Sequence, residues 1–298
     1  MNNKNIFYIL MILSMIFWGM AWVNTKILTA YVNQYELVFL RMGICFISML
    51  PIIYFYGLSF KINLKSFILI LIASVILVLY SIVFFLGVQH GTPGFGGALV
   101  TTLIPINTFI LLALINRKTI SLKHSFALIL GGFGVLTMLN VWNFDINEIF
   151  SKDNVYFLMA SILWPALTII SAKDSKTNGL VFTFYVYVIS TFVVYLFFVD
   201  NSVFEKVTTF DLTFWVNMFM ITILSTTFAT SIYFIGIAKL GTKEVSTFIF
   251  LVPTSALISS AIYLNEQITY NTIFGTICTV ISIYILNNLN LFKMFKKS

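Results

Sequence analysis

Aromatic and hydroxyl side chains recur at helical spacing inside long uncharged stretches of this chain. Trp18, Trp22 and Lys26 fall at i, i+4 and i+8, and so do Trp164, Thr168 and Ser171 at i, i+4 and i+7, which places each set on one helix face. Tyr80 aligns with Phe84, Thr226 with Thr230 and Tyr233, and Thr101 with Pro105 and Thr108. Apolar walls carrying a few hydrogen-bonding groups are what a pocket for a small molecule needs. Hydroxyls at this spacing also join helices or bond back to their own carbonyls. Trp18 and Trp164 favour a pocket, because they hold corresponding mid-helix positions away from the membrane-interface belts where tryptophan collects. The substrate-binding candidates are therefore Trp18, Trp22, Tyr80, Phe84, Thr101, Trp164, Thr168, Thr230 and Tyr233. Four of them, Trp18, Tyr80, Trp164 and Tyr233, should line one central cavity.

Three charges bear on the same chemistry. Lys26 and Arg41 fall towards the outer ends of their apolar runs, where a long side chain reaches the interface. Two roles fit them: a positive site for a substrate carboxylate or outer gate, and an ion pair with Glu36 that ties the first two helices. Glu266 reads as a boundary residue capping the helix that follows it. Pro105 and Pro253 each delete a helix hydrogen bond, which serves either a hinge or a fixed bend.

Other chemistry is excluded. No Asp or Glu sits in the middle of an apolar run, so a carboxylate proton relay has no candidate. No zinc-binding HExxH, in-membrane Ser/His pair or phosphate-binding Walker sequence occurs, and no metal or cofactor is implied. Cys45 and Cys278 stand singly in separate apolar runs, which gives neither a disulfide nor a metal pattern. The net charge of +7 comes from scattered residues without the interleaved aromatics of a nucleic-acid surface.

The elements that must position these residues follow from composition. Apolar and aromatic residues make up 60% of the 298 residues and charged ones 9%, against roughly 45–50% and 25% in soluble domains. No soluble surface can be covered with so few charges. The stretches free of Asp, Glu, Lys and Arg are 5–25, 42–60, 66–116, 124–144, 154–172, 177–199, 212–238, 245–265 and 267–292. A spanning helix takes about 20 residues. The stretch 66–116 holds two, divided at the turn His90-Gly91-Thr92-Pro93-Gly94, so ten spans are expected. Continuous rather than alternating apolarity means helices, not a barrel. With both termini in the cytoplasm, thirteen of the seventeen Lys and Arg fall on the cytoplasmic side and only Lys152 and Lys206 opposite, as the positive-inside bias requires.

The chain also repeats itself. Phe85-Leu86-Gly87-Val88 followed by Gly91-Thr92 matches Phe234-Ile235-Gly236-Ile237 followed by Gly241-Thr242. Pro105 and Pro253, Trp18 and Trp164, and Lys26 and Lys173 keep nearly the same offset, half the chain. The expected units are residues 1–148 and 149–298, five helices each. An odd number of helices forces the second copy to enter the membrane from the opposite side, which makes an inverted repeat of the kind that supports alternating access.

On these residues the chain resembles the drug/metabolite transporter superfamily, and within it the ten-helix exporters built of two EamA-type repeats. The matching features are Trp18-Gly19 with Lys26, Arg41, the two repeat prolines, and Leu264-Asn265-Glu266-Gln267-Ile268-Thr269 followed by Gly275. Asn116-Arg117-Lys118 departs from the Gly-Glu that the family often has at the first boundary. The resemblance implies an all-α integral membrane fold and a non-enzymatic permease in the inner membrane. It implies export of small metabolites such as amino acids, with efflux of drugs or toxic compounds as the alternative. The expected partners are a small-molecule substrate and the lipid bilayer, with the protein working as a monomer or homodimer.

Overall fold

The computed structural model describes residues 3–90, 93–138, 155–264 and 269–287, and all regular structure within them is helical. Uncharged apolar runs in lipid have only this choice, since a helix satisfies every backbone N–H and C=O within its own segment. The first repeat supplies α1 (Asn3–Leu28), α2 (Gln34–Phe55), α3 (Leu64–His90), α4 (Pro93–Asn116) and α5 (Leu122–Met138). The second supplies α6 (Val155–Ala172), α7 (Gly179–Phe198), the short α8 (Ser202–Val207) and α9 (Leu212–Leu240). It ends with α10 (Thr242–Thr247), α11 (Val252–Leu264) and α12 (Tyr270–Leu286).

Local chemistry marks the helix ends. Asn33 Oδ1 accepts from the backbone N–H groups of Tyr35 and Glu36, while the Asn33 N–H donates to Glu36 Oε2. This reciprocal box starts α2. Asp211 and Thr269 cap α9 and α12 in the same sense. Gly241, at φ 96°, turns the chain from α9 into α10 in a conformation that costs glycine little.

Among the described residues seven helices are long and apolar enough to cross a bilayer: α1, α2, α3, α4, α6, α7 and α9. The apolar helices α5 and α12 have 17 residues each, about 26 Å of helix, slightly less than a hydrocarbon core of about 30 Å. Residues 242–264 are helical but broken by a 3₁₀ turn, Phe248–Leu251. The expected ten spans thus comprise seven full-length helices, two shorter ones and one broken one, and the number itself rests on the charge pattern. The outer surface suits lipid. Leu122, Ile129 and Phe197 are at least 70% exposed, on a scale no soluble protein tolerates.

The direction of each helix can be read from its contacts. Trp22 packs on Phe84 and Lys26 bonds at Val88, so α1 and α3 run parallel. Tyr80 meets Trp164, whereas Gly87, later in α3, meets Phe157, earlier in α6. The third helix of the first half is therefore antiparallel to the first helix of the second. Trp18 bonds Ser225 and Met11 touches Gly236, so α1 opposes α9 likewise. Tyr35, Phe39 and Phe46 of α2 pair with Phe198, Tyr195 and Phe184 of α7, again in opposite order. In α5 and α12, Ala127 meets Ser282 and Gly134 meets Cys278.

Corresponding helices are thus antiparallel, and the packing partners exchange as a two-fold axis in the membrane plane demands. The helix α6 lies against α3 and α4 as α1 lies against α9 and α11, while α2 with α7 and α5 with α12 pair directly. The two halves are inverted repeats. Glycine makes the closest of these crossings: a Cβ at Gly19 would stand 2.6 Å from Ser255 Cβ and 2.7 Å from the Ala256 nitrogen, so α1 and α11 touch backbone to backbone.

Candidate substrate cavity

Between the two halves lies a cavity of about 80 Å³. Helix α1 presents Trp18, Trp22 and Thr25 to it, α3 presents Tyr80 and Phe84, and α6 presents Trp164. From α4 come Thr101 and Ile104, and from α9 come Ser225 and Thr230. The 3₁₀ turn adds Ile249, α11 adds Val252, and Arg41 of α2 supplies the one charged group among these lining residues.

The walls are built by edge and tilted ring contacts, the geometry favoured by aromatic quadrupoles. Trp18 meets Trp164 edge-on at 5.1 Å between centroids, Tyr80 meets Trp164 at 4.8 Å, and Trp22 meets Phe84 at 4.9 Å. Both repeats therefore contribute to one continuous aromatic surface. Trp164 Nε1 is buried and makes no hydrogen bond with the described protein atoms.

Seven of the nine substrate-binding candidates line this space: Trp18, Trp22, Tyr80, Phe84, Thr101, Trp164 and Thr230. Thr168 and Tyr233 do not, which corrects the expected placement. Both are fully buried, with their hydroxyls 3.1 Å apart. Tyr233 packs on Trp18 at 5.1 Å and on Trp164 at 5.7 Å. The pair backs the tryptophan wall instead of facing the opening.

Thr168 Oγ1 bonds back to Trp164 O at 2.9 Å within the regular α6; for Tyr233 the reason is a change of helix type. Residues Met220–Thr230 form a π-helix, in which each turn takes more than the 3.6 residues assumed in aligning Thr226, Thr230 and Tyr233. The widened turns carry their own hydroxyl braces: Thr226 Oγ1 donates to Ile221 O at 2.6 Å and Thr230 Oγ1 to Ser225 O at 3.2 Å, each five residues back. Trp18 Nε1 donates to the same Ser225 carbonyl at 3.0 Å. Ser225 thereby enters the site while Thr226 turns towards Arg41. The corresponding helix of the first half, α3, is regular, so the symmetry is broken at the cavity wall.

The ion pair considered for Lys26 or Arg41 with Glu36 is not formed. The capping box draws one Glu36 oxygen back to Asn33, and the other accepts from Lys206 of α8 at 2.6 Å. Lys26 Nζ instead donates to Val88 O at the end of α3. Arg41 Nε donates to Thr226 Oγ1 at 2.7 Å, and its guanidinium lies 5.9 Å from the Phe85 ring centroid. Among the described residues Arg41 has no carboxylate partner. Glu266 lies outside the described residues, as do Gly91 and Thr92. His90 is the exposed last residue of α3.

The prolines act on the cavity wall. Pro105 has no N–H for the carbonyl of Thr101, four residues before it, and Pro253 has none for Ile249; both partners line the cavity. In α11 the chain answers with the 3₁₀ turn, where Val252 N–H takes Ile249 O, whereas α4 stays helical through Pro105. A third proline, Pro165, leaves Ser161 O to accept from Asn107 Nδ2 at 3.0 Å, joining α4 to α6. Asn107 gave no warning in the sequence beyond being an amide in the middle of an apolar helix. Thr25 and Ile104 were legible, one helical turn from Trp22 and Thr101.

Two inverted helical repeats closing on a shared, mostly apolar cavity define a membrane carrier architecture. The model of the EamA-like transporter family matches residues 5–140 and again 152–288, and the chain belongs to that family. No curated protein matches the sequence. A solved structure titled only "Crystal structure of protein" is 13% identical, with 97% of this chain and 98% of that one covered at a TM-score of 0.72; it supports the fold.

Proposed function

We propose that the protein is a secondary transporter that moves small metabolites, such as amino acids or related compounds, across the inner membrane by alternating access. The observation that carries this reading is a cavity shared by the two halves, walled by Trp18, Trp22 and Tyr80 from one and Trp164, Ser225 and Thr230 from the other. Rocking one inverted half against the other opens such a site to either side in turn. One chain holds the whole cavity, so a monomer suffices for transport. Both termini face the cytoplasm on this reading, and the direction is export.

The test is counterflow in liposomes containing the purified protein. Vesicles preloaded with a candidate solute should transiently accumulate the labelled solute from outside, with saturation. A flux that never saturates and shows no counterflow marks a channel and defeats the carrier reading.

A further inference from the structure

From the surroundings of Arg41 we infer that the cavity selects solutes bearing a carboxylate attached to an apolar or aromatic body, and that Arg41 is the group that holds the carboxylate. This rests on the transporter reading above and names its substrate class. Arg41 lies seven residues into α2, about 10 Å along the helix axis from its start. A guanidinium at that depth in a span is costly unless it meets an opposite charge. Among the described residues no carboxylate pairs with Arg41: Glu36 is 4% exposed, paired with Lys206 and bonded to its own helix start. Among the described residues lining the cavity there is no Asp or Glu.

The geometry of Arg41 fixes one edge of the guanidinium and leaves the other to meet a solute. Its Nε is tied to Thr226 Oγ1, whose own proton goes to Ile221 O, and Phe85 lies beside the guanidinium. One edge of the group is thus fixed by the π-segment. The two Nη groups make no hydrogen bond among the described residues. That fork is the part of arginine that pairs side by side with a carboxylate. Next to it, Trp22, Phe84, Tyr80 and Trp164 form an apolar aromatic wall that suits the remainder of the solute. An amine-bearing drug finds no carboxylate on this lining, so the cavity disfavours the cation-efflux reading.

Three probes on one skeleton isolate the charge: 4-methylpentanoate, leucine and 3-methylbutylamine. None absorbs where tryptophan does, so quenching of Trp18, Trp22 and Trp164 fluorescence in the detergent-purified protein reports binding. The acid should bind at least ten-fold more tightly than the amine, with leucine between or near the acid. Arg41→Gln should bring the acid-to-amine ratio close to one, and Arg41→Lys should keep the acid preferred, though less strongly. Circular dichroism and thermal melting establish that each variant is folded, and Thr226→Val provides a second route by loosening the guanidinium without removing its charge. An amine bound as tightly as the acid, no binding of the acid, or an unchanged ratio in folded Arg41→Gln would overturn the inference. Saturable counterflow alongside any of these leaves the carrier reading standing, so the two failures are separable.

Discussion

Replacing Gly19 by alanine adds one methyl group where α1 and α11 touch. The new Cβ would sit 2.6 Å from Ser255 Cβ, 2.7 Å from the Ala256 nitrogen and 2.8 Å from the Val252 oxygen. Carbon atoms pack at about 3.5–4.0 Å, so the helices must part by about 1 Å, and two of the three obstacles are backbone. Overpacking of this kind costs about 1–3 kcal/mol. Alanine also recovers about 1 kcal/mol of helix propensity, so the matched control is Gly43→Ala in α2, where the nearest atom is Thr191 Cγ2 at 3.7 Å. The propensity gain is common to both, which leaves a difference of about 1–3 kcal/mol set by contact alone. Heating the detergent-solubilised variants and counting the folded fraction by size-exclusion chromatography should put Gly19→Ala several degrees below Gly43→Ala. Transport by Gly19→Ala should fall as well, because α1 carries Trp18 and Trp22. Equal melting of the two variants would refute the close helix approach on which the packing of α1 depends.

Trp18→Phe removes the donor to Ser225 O but keeps a ring in the wall; interhelical hydrogen bonds in membranes average about 0.6 kcal/mol, so the half-saturating solute concentration in counterflow should rise only about three-fold, whereas Trp18→Ala should raise it more than ten-fold. Tyr233→Phe, behind the wall, should change that concentration less than Tyr80→Phe, which faces the solute. With no carboxylate among the described residues that line the cavity, uptake into liposomes should continue when no pH gradient is imposed, and strict dependence on the gradient would contradict the reading. Asp174, in the turn between α6 and α7, is pushed up by desolvation, but hydrogen bonds from Thr177, Ser66 and the Lys176 backbone outweigh this and hold its carboxyl below the ordinary value. A depressed folded pKa stabilises above the unfolded pKa and is lost as pH falls through the folded one, so Asp174→Asn should lower the melting temperature at pH 7 and the gap should close as the pH falls below about 4.

The repeat and its inversion were legible because apolar run length and Lys/Arg placement respond to bilayer thickness and orientation, which act on each segment separately. The tryptophan wall was legible for a related reason: Trp18, Trp22 and Trp164 sit on regular helices, where a 3.6-residue stripe stays true. Tyr233 was misplaced because Met220–Thr230 winds as a π-helix, and nothing in its run of Thr, Ser and Ile distinguishes that winding from an ordinary one; Thr168, on the regular α6, was misplaced because its hydroxyl bonds back to Trp164 O and meets Tyr233 behind the wall. The partner of Glu36 was missed because Lys206 comes from α8, a six-residue helix in a connection whose course the apolar pattern does not constrain. Arg41 stood out as a charge in a span, but its lack of an acidic partner among the described residues emerged only once Glu36 was seen to be engaged elsewhere.

Alternating access is tested most directly by a single cysteine in the cavity wall. With Cys45 and Cys278 replaced by alanine, Ala21→Cys, a position of α1 that lines the cavity between Trp18 and Trp22, would be treated with a membrane-impermeant maleimide in right-side-out and in inverted vesicles. Labelling from both sides, slowed in each case by a transported solute, is the predicted outcome. Labelling from one side alone, or from neither, would contradict a cavity that the two inverted halves expose in turn.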